Sequence, residues 1–256
     1  MEPKEPFEPP VLGDGEVHLW WGLASSENPP GKGQDWLSDV ERERSERFRT
    51  PTLRARYEFR WNFVRRLLAG YVEIAPGTLR FGLGEHKKPL LDPVQAHGLT
   101  FNLSHTRDLV LCGVSRGREV GVDVETLDRR GDFEGVARRV FTARELAELE
   151  GLDEGEWGAG FLRGWTRKEA FLKAYGTGLL REPRDLHVGL LARRDEVPWS
   201  PDDAELGEWG TLIDTRAPAQ YAAAVCAQGE DWTLRICGSV ESLGEIPRGP
   251  EPRLLG

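Results

Sequence analysis

The chain has 256 residues, 39% of them hydrophobic and 30% charged, with a net charge of −9. A chain of this size buries a substantial core, as one domain or two small ones. The acidic balance speaks against a binder of nucleic acid or anionic membrane, which needs a basic field. No run approaches the roughly 18 apolar residues of a membrane span, and the start, MEPKEPFEPP, has no apolar signal region, so the expected setting is the cytoplasm.

Residues 1–15, rich in Pro and Glu, read as a loose tail. Ser38-Asp39-Val40-Glu41 is a capping box that predicts a helix through Phe48. Thr50-Pro51 then forms an N-cap and N1 pair. The helix it opens carries Tyr57, Val64, Leu67, Leu68 and Tyr71 on an apolar stripe. A Gly-rich loop, FGLGEHKKP, leads to FNLSHT and to a predicted hairpin, LVLCGV–SRGRE–VGVDVE.

A similar order follows. DFEGVARRVF has helical period, and Thr142-Ala143-Arg144-Glu145 is a second capping box. FLRGWTRKEAFLKAY predicts a helix over 161–175 that ends at Gly176, a natural left-handed cap. Residues 193–210 are expected to form a surface insertion. A second predicted hairpin, YAAAVCA–QGED–WTLRI, closes the sequence before a loose tail at 241–256. The expected fold class is α+β, with two similar halves, residues 16–118 and 119–240, each with helices and an antiparallel hairpin, as after a duplication.

Three cysteines, Cys112, Cys226 and Cys237, lie in apolar, strand-like runs without CxxC spacing, which points to burial rather than metal or redox work. Lysine is scarce against arginine. Four of the lysines cluster as KKP and KEAFLK, as a need for compact ammonium charges at phosphates would require.

The stretch EVGVDVETLDRR poses the sharpest question. At strand period, Val120, Val122 and Val124 share one face, and Gly121, Asp123 and Glu125 the other. Two acids on one face repel, and a cation between them relieves this. At helical period, Phe161, Leu162, Trp165, Glu169, Leu172 and Lys173 fall on one stripe. The plain reading of Glu169 and Lys173 is an ordinary i,i+4 pair. An acid among buried-type residues instead needs a cation or a chemical role.

Three carboxylates without Cys or His make an oxygen-only site suited to Mg²⁺ or Mn²⁺. Lys168 and Lys173 would face phosphates bound there, which points to a metal-assisted phosphoryl reaction. Ser104 and His105 in FNLSHT, and Lys88 in KKP, are either polar strand-end and loop residues or further phosphate contacts.

The ordered set HKKP, FNLSHT, GVDVE and WTRKEAFLKAYGTGL resembles the 4′-phosphopantetheinyl transferases of the surfactin-synthetase-activating type, over about residues 36–190. LSDVERERSERF and RARY…RRLL are similar to that family's N-terminal half. The resemblance implies a monomer with its active site between two α+β halves. It also implies transfer of 4′-phosphopantetheine from coenzyme A to a serine of an acyl or peptidyl carrier protein, with 3′,5′-ADP released. Asp123, Glu125 and Glu169 are implied as the Mg²⁺ ligands, with Mn²⁺ as an alternative. Lys168 and Lys173 are implied as contacts to the phosphates of coenzyme A. Ser104, His105, Lys88 and Arg56 are implied at its 3′-phosphate end. The catalytic set is Asp123, Glu169 and Lys173, with Glu169 as ligand or as base and Lys173 stabilising the leaving group.

Two features depart from the family pattern: Trp61 stands where arginine is expected, and Thr106-Arg107-Asp108 where small residues are common. The rival readings are a coenzyme A-binding module without catalysis and a metal-dependent nuclease, the latter disfavoured by net charge. Residues Thr126 to Phe141, with four arginines around Phe133 and Val136, are the expected carrier-docking segment.

Overall fold

In a computed structural model, which describes residues 7–24, 35–84, 88–129, 131, 133–176, 182–190, 211–214 and 220–239, the predicted caps set the helix ends. Ser38 and Glu41 form their capping box at the start of α1 (Asp39–Glu46). Thr50 caps α2 (Pro51–Val72), with Pro51 in the first turn, where a missing N–H costs nothing. After the short α3 (Pro93–Ala96) and α4 (Phe133–Val140), the Thr142–Glu145 box opens α5 (Ala143–Glu150). The long α6 (Glu154–Tyr175) ends at Gly176, whose φ of 80° suits a residue without Cβ. It begins about two turns before the expected 161–175 span, since Glu154 and Glu156 favour a helix start.

The strands form two main sheets. β1 (Glu16–Leu23), β4 (Leu99–Thr106), β5 (Leu109–Arg116) and β9 (Thr233–Ser239) make one, in the order β4-β5-β1-β9. β6 (Val120–Thr126), β7 (Thr211–Asp214) and β8 (Tyr221–Ala227) make the other, in the order β6-β8-β7. β2 (Phe81–Leu83) and β3 (Pro89–Leu91) pair as a small ribbon on either side of the predicted Gly-rich loop, of which residues 85–87 lie outside the described residues, as do the predicted insertion at 193–210 and the tail at 241–256.

The α+β class holds, but neither expected hairpin exists. β5 does not pair with β6. It forms a hairpin with β4 and lies antiparallel to β1, while β6 pairs with β8. β8 does not pair with β9, which crosses to run parallel to β1 in the other sheet. So β9, from the expected second half, completes the sheet of the first. The reason is burial on both faces. Nearly every residue of β5, β6 and β8 is buried. The SRGRE and QGED turns therefore carry the chain from one sheet into the next rather than fold it back beside itself.

The result is four layers. α2 packs Phe63, Val64, Leu67 and Leu68 on Phe101, Val110, Cys112 and Val114 of the first sheet. The other face of that sheet sends Val17, Leu19, Leu109 and Leu111 against Val120, Val122, Val124 and Val225 of the second. α6 then covers the outer face of the second sheet through Ala170, Phe171 and Ala174 against Ala224 and Cys226. Cys112 and Cys226 are buried core residues, and burial pushes both thiols up. Among the described residues, no helix is long and apolar enough to cross a membrane.

Two contacts place the chemistry. The first joins the sheets: Val122 N–H donates to Asn102 Oδ1 at 2.9 Å, and Val124 N–H to Ser104 Oγ at 3.3 Å. Side chains of β4 thus satisfy the edge of β6 where a backbone ladder would otherwise run. The second is at Gly121, where a Cβ would lie 2.0 Å from Ala170 O and 2.4 Å from Ala174 N. α6 rests with its backbone on β6 at this point.

This contact makes a prediction. Gly121→Ala should destabilise the protein by at least about 1–3 kcal/mol, because backbone cannot rotate away as a side chain can. Urea unfolding measures it, and an unchanged midpoint would show that the helix does not approach so closely.

Candidate active site

The period-2 reading of β6 is what the structure has. Val120, Val122 and Val124 point into the core between the sheets. Gly121, Asp123 and Glu125 point the other way, and Gly121 meets α6. Because Gly121 lets α6 lie close, the side chain of Lys173 reaches Asp123, with Nζ 2.6 Å from Oδ1. Lys173 Nζ also donates to Val122 O and to Ser104 Oγ, both at 3.2 Å.

Ser104 is the hub of this cluster. Its hydroxyl donates to Asp123 Oδ1 at 2.7 Å and accepts from Val124 N–H and Lys173. Every hydrogen-bonding capacity of the hydroxyl is used. Asp123 is 5% exposed, yet its Oδ2 is buried with no hydrogen-bond partner among the described residues. A carboxylate oxygen left so is costly and asks for a cation.

Glu125 is held by an ion pair to Arg129 and by Thr106 Oγ1, which donates to Oε2 at 3.3 Å. Burial raises its pKa, with the Asp123 charge adding and Arg129 opposing. Glu169 lies one turn before Lys173 on α6, partly exposed, and no hydrogen bond or ion pair holds its carboxylate among the described residues. Burial raises its pKa, the Asp123 and Glu125 charges add to this, and Lys173 opposes it. The charges of the three acids therefore act on one another.

The donors are all hard oxygens, and the unpartnered Oδ2 of Asp123 is a ready ligand, so the residues fit a Mg²⁺ or Mn²⁺ ion. They are not drawn tightly together: no group of three His, Cys, Asp or Glu residues among those described stands close enough to hold a metal ion as it is. Lys173 and Arg129 neutralise two of the three acids within the chain itself.

The other expected residues divide. Lys88 comes to the cluster: its Nζ donates to Glu119 at 2.9 Å and to the Lys173 carbonyl, at the end of α6, at 3.2 Å. His105 follows Ser104 on the opposite face of β4, the face that packs Phe101 and Leu103 toward α2. Although the residue is exposed at the surface, partial desolvation of its ring, with the Arg60 and Lys173 cations nearby, lowers its pKa to about 4. Arg56 is not free: Asp108 grips it at 2.7 and 3.2 Å. The unusual run after His105 is thereby explained, since Thr106 holds Glu125, Arg107 pairs with Asp128 at 2.6 Å and Asp108 holds Arg56.

Lys168 is not brought to this cluster, and the expected phosphate contact is corrected. Its ammonium is buried on the far side of α6, 2.8 Å from Glu145, and donates to the carbonyls of Pro183 and Leu186. At 1% exposure it has no route to a ligand. The helix period decides this: positions 165, 169 and 173 share the open stripe, and 168 points inward.

Trp61 packs edge-on against Phe81. Its neighbour Arg60, which sequence reasoning missed, lies 5.2 Å over the Tyr57 ring and has no acid partner among the described residues. The signal was its spacing, one helical turn beyond Arg56. Phe133 stacks on Phe161 at 4.7 Å, partly buried, so it is a packing residue more than a free anchor, while Val136 is 37% exposed.

Comparison with known proteins adds an independent line. The model of the 4′-phosphopantetheinyl transferase superfamily matches residues 119–226. The 4′-phosphopantetheinyl transferase HetI of Nostoc sp. (strain PCC 7120) is 34% identical over 221 residues, 85% of this chain and 90% of HetI. AcpT of Escherichia coli (strain K12) is 35% identical over 117 residues, 46% of this chain and 57% of AcpT. Sfp of Bacillus subtilis (strain 168) is 31% identical over 117 residues, 45% of this chain and 50% of Sfp.

Two outcomes are expected from this geometry. Lys168→Met leaves Glu145 buried without its cation, so denaturant unfolding should show a loss of about 3–5 kcal/mol. Unchanged stability would refute the structural assignment. Glu169 supplies a pH test. Its carboxyl holds a proton more tightly folded than unfolded, so its ionisation weakens the fold as pH rises from 4.5 through the raised value. Without metal, Glu169→Gln should gain stability on wild type across that window and keep the gain at neutral pH. Parallel pH profiles for the two proteins would show the residue is not perturbed.

Proposed function

Because the chain belongs to the 4′-phosphopantetheinyl transferase superfamily, we propose that the Asp123–Glu125–Glu169–Lys173 cluster is the centre at which 4′-phosphopantetheine passes from coenzyme A to a serine of a carrier protein. The enzyme class and the carrier-protein substrate follow from the family. The observation that carries the assignment of residue roles is the buried oxygen of Asp123, unpartnered among the described residues, beside the Lys173 ammonium.

In the transfer, the serine Oγ forms a bond to the β-phosphorus of coenzyme A. The bond from that phosphorus to the bridging oxygen breaks, and 3′,5′-ADP leaves with the electron pair. The proton of the serine goes to a base. Glu169 would accept it, a role supported by its unengaged carboxylate and by a raised pKa that strengthens it as a base. Asp123 and Glu125 would hold Mg²⁺, with Mn²⁺ as a substitute, and a bound ion neutralises pyrophosphate charge. Lys173, on the same stripe, would stabilise charge on the leaving group once its ammonium turns to the phosphates.

Of the residues implied at the 3′-phosphate end, Lys88 and His105 keep that role, while Ser104, buried with its hydroxyl fully used, belongs to the Asp123–Lys173 cluster. At that end the neutral imidazole still offers an N–H, and a phosphate between His105 and Arg60 would relieve the like charges of Arg60 and Lys173. Arg56 acts through its clamp on Asp108, which fixes the β4–β5 turn just after His105. For the carrier, residues Thr126 to Phe141 remain the docking segment. Exposed Leu127 and Val136 take the anchoring part in place of Phe133, with Arg129, Arg138 and Arg139 as a basic rim for an acidic partner. We place the enzyme in the cytoplasm as a monomer.

The test is direct. Protein, Mg²⁺, coenzyme A and an apo carrier protein are incubated, and the carrier is weighed for one added phosphopantetheine. Asp123→Ala and Glu169→Gln should each lose transfer by roughly 10²–10⁴-fold, the range for a lost acid–base group, while remaining folded. Wild-type turnover by either variant at saturating Mg²⁺ would remove that residue from the centre.

A further inference from the structure

Lys173 makes a contact that the transfer step does not call for. Its ammonium does not reach outward to where phosphates would bind. It lies against Asp123 Oδ1 at 2.6 Å and is fixed there by Ser104 Oγ and the Val122 carbonyl, both at 3.2 Å. Three acceptors saturate its three N–H donors. The side chain is 28% exposed, and that of Asp123 is 8% exposed, so the pair is shielded on most sides. It is the chain's own cation on the very carboxylate whose other oxygen, Oδ2, has no partner among the described residues.

A metal ion on Asp123 cannot share the carboxylate with this ammonium at no cost. Two cations on one acid repel, and the loss is larger in a half-buried site than in water. The phosphates of coenzyme A are the alternative partner for Lys173. Resting on the reading of this centre given above, we propose that Lys173 is an internal counter-ion that must leave Asp123 before a divalent cation is held well. The ammonium moves onto the pyrophosphate of coenzyme A. Metal and coenzyme A then bind cooperatively, because each draws Lys173 in the same direction, and the coupling acts equally on both affinities.

Among the described residues, nothing else on the surrounding elements substitutes for this arrangement. On β6, Glu125 has its own cation in Arg129. On β4, Ser104 is a neutral donor and acceptor. Lys88 is bound to Glu119 and to the Lys173 carbonyl rather than to Asp123. The exchange therefore turns on one side chain. Its cost is also visible: a bare Asp123 would bind metal more tightly but would leave a buried carboxylate uncompensated whenever metal is absent.

Mn²⁺ binding to the protein without coenzyme A, followed by calorimetry, tests the idea. Lys173→Met should bind Mn²⁺ more tightly than wild type, by roughly the 5–150-fold typical of a coupling free energy. Lys173→Arg, which keeps a cation, should stay near wild type. In the Lys173→Met background, Asp123→Asn should abolish the gain. Folding is checked by circular dichroism. Should Lys173→Met not fold, the wild type answers alone. The chain has few lysines, so ¹³C-lysine NMR resolves the Lys173 side chain, assigned by its loss in Lys173→Arg. Mg²⁺ should shift that signal, and coenzyme A should make the shift saturate at lower Mg²⁺. Equal or weaker Mn²⁺ binding by a folded Lys173→Met, or an unmoved signal, overturns the counter-ion role. If wild type binds no Mn²⁺ even with coenzyme A, the metal reading of the centre falls, and this inference with it.

Discussion

The contact between Gly121 and the backbone of α6 is the constraint on which the centre depends. No side chain larger than hydrogen fits between β6 and the helix at Ala170 and Ala174. That close approach is what allows Lys173, on α6, to touch Asp123, on β6. Were the helix held off by one ordinary side chain, the acids of the strand and those of the helix would belong to separate surfaces. The charged residues take the attention in a reading of GVDVE, yet the glycine that opens it sets the distance between them.

The second dependence is on the β4–β6 joint. Sheets usually meet through apolar faces or a shared ladder. Here Asn102 and Ser104 take the place of the ladder, accepting from Val122 and Val124. The same Ser104 hydroxyl donates to Asp123 and accepts from Lys173. One oxygen thus serves the cohesion of two sheets and the electrostatics of the centre.

Much of this was legible in the sequence where the signal is local. Two capping boxes, the Thr50-Pro51 start and the Gly176 stop stand where residue chemistry puts them. The face shared by Gly121, Asp123 and Glu125 followed from strand period alone. What failed was pairing. LVLCGV and VGVDVE are alternate runs joined by a turn, which is the sequence signature of a hairpin, but strands buried on both faces can stack as well as pair. Nothing local distinguishes the two, and nothing local shows that β9 returns to β1. Lys168 failed for a related reason. Its neighbour Glu169 faces the centre, and adjacency on a helix means a turn of 100°, not a shared face. Its true partner, Glu145, is distant in the chain, so the ion pair could not be read from the motif. β1 itself passed unremarked, although it is largely buried and pairs with both β5 and β9.

The crossing of β9 to β1 bears on how the molecule comes into being. Glu16 pairs with Thr233, so the first and last strands of the described fold lie side by side. Contacts of such sequence separation form late and slowly, because closing the loop between them must be offset before they contribute. During synthesis on the ribosome, β1 would wait with one edge open while some two hundred residues emerge behind it. An unpaired edge is where chains adhere to one another. The net charge of −9 works against such adhesion, since like-charged copies repel one another until the last strand covers the edge.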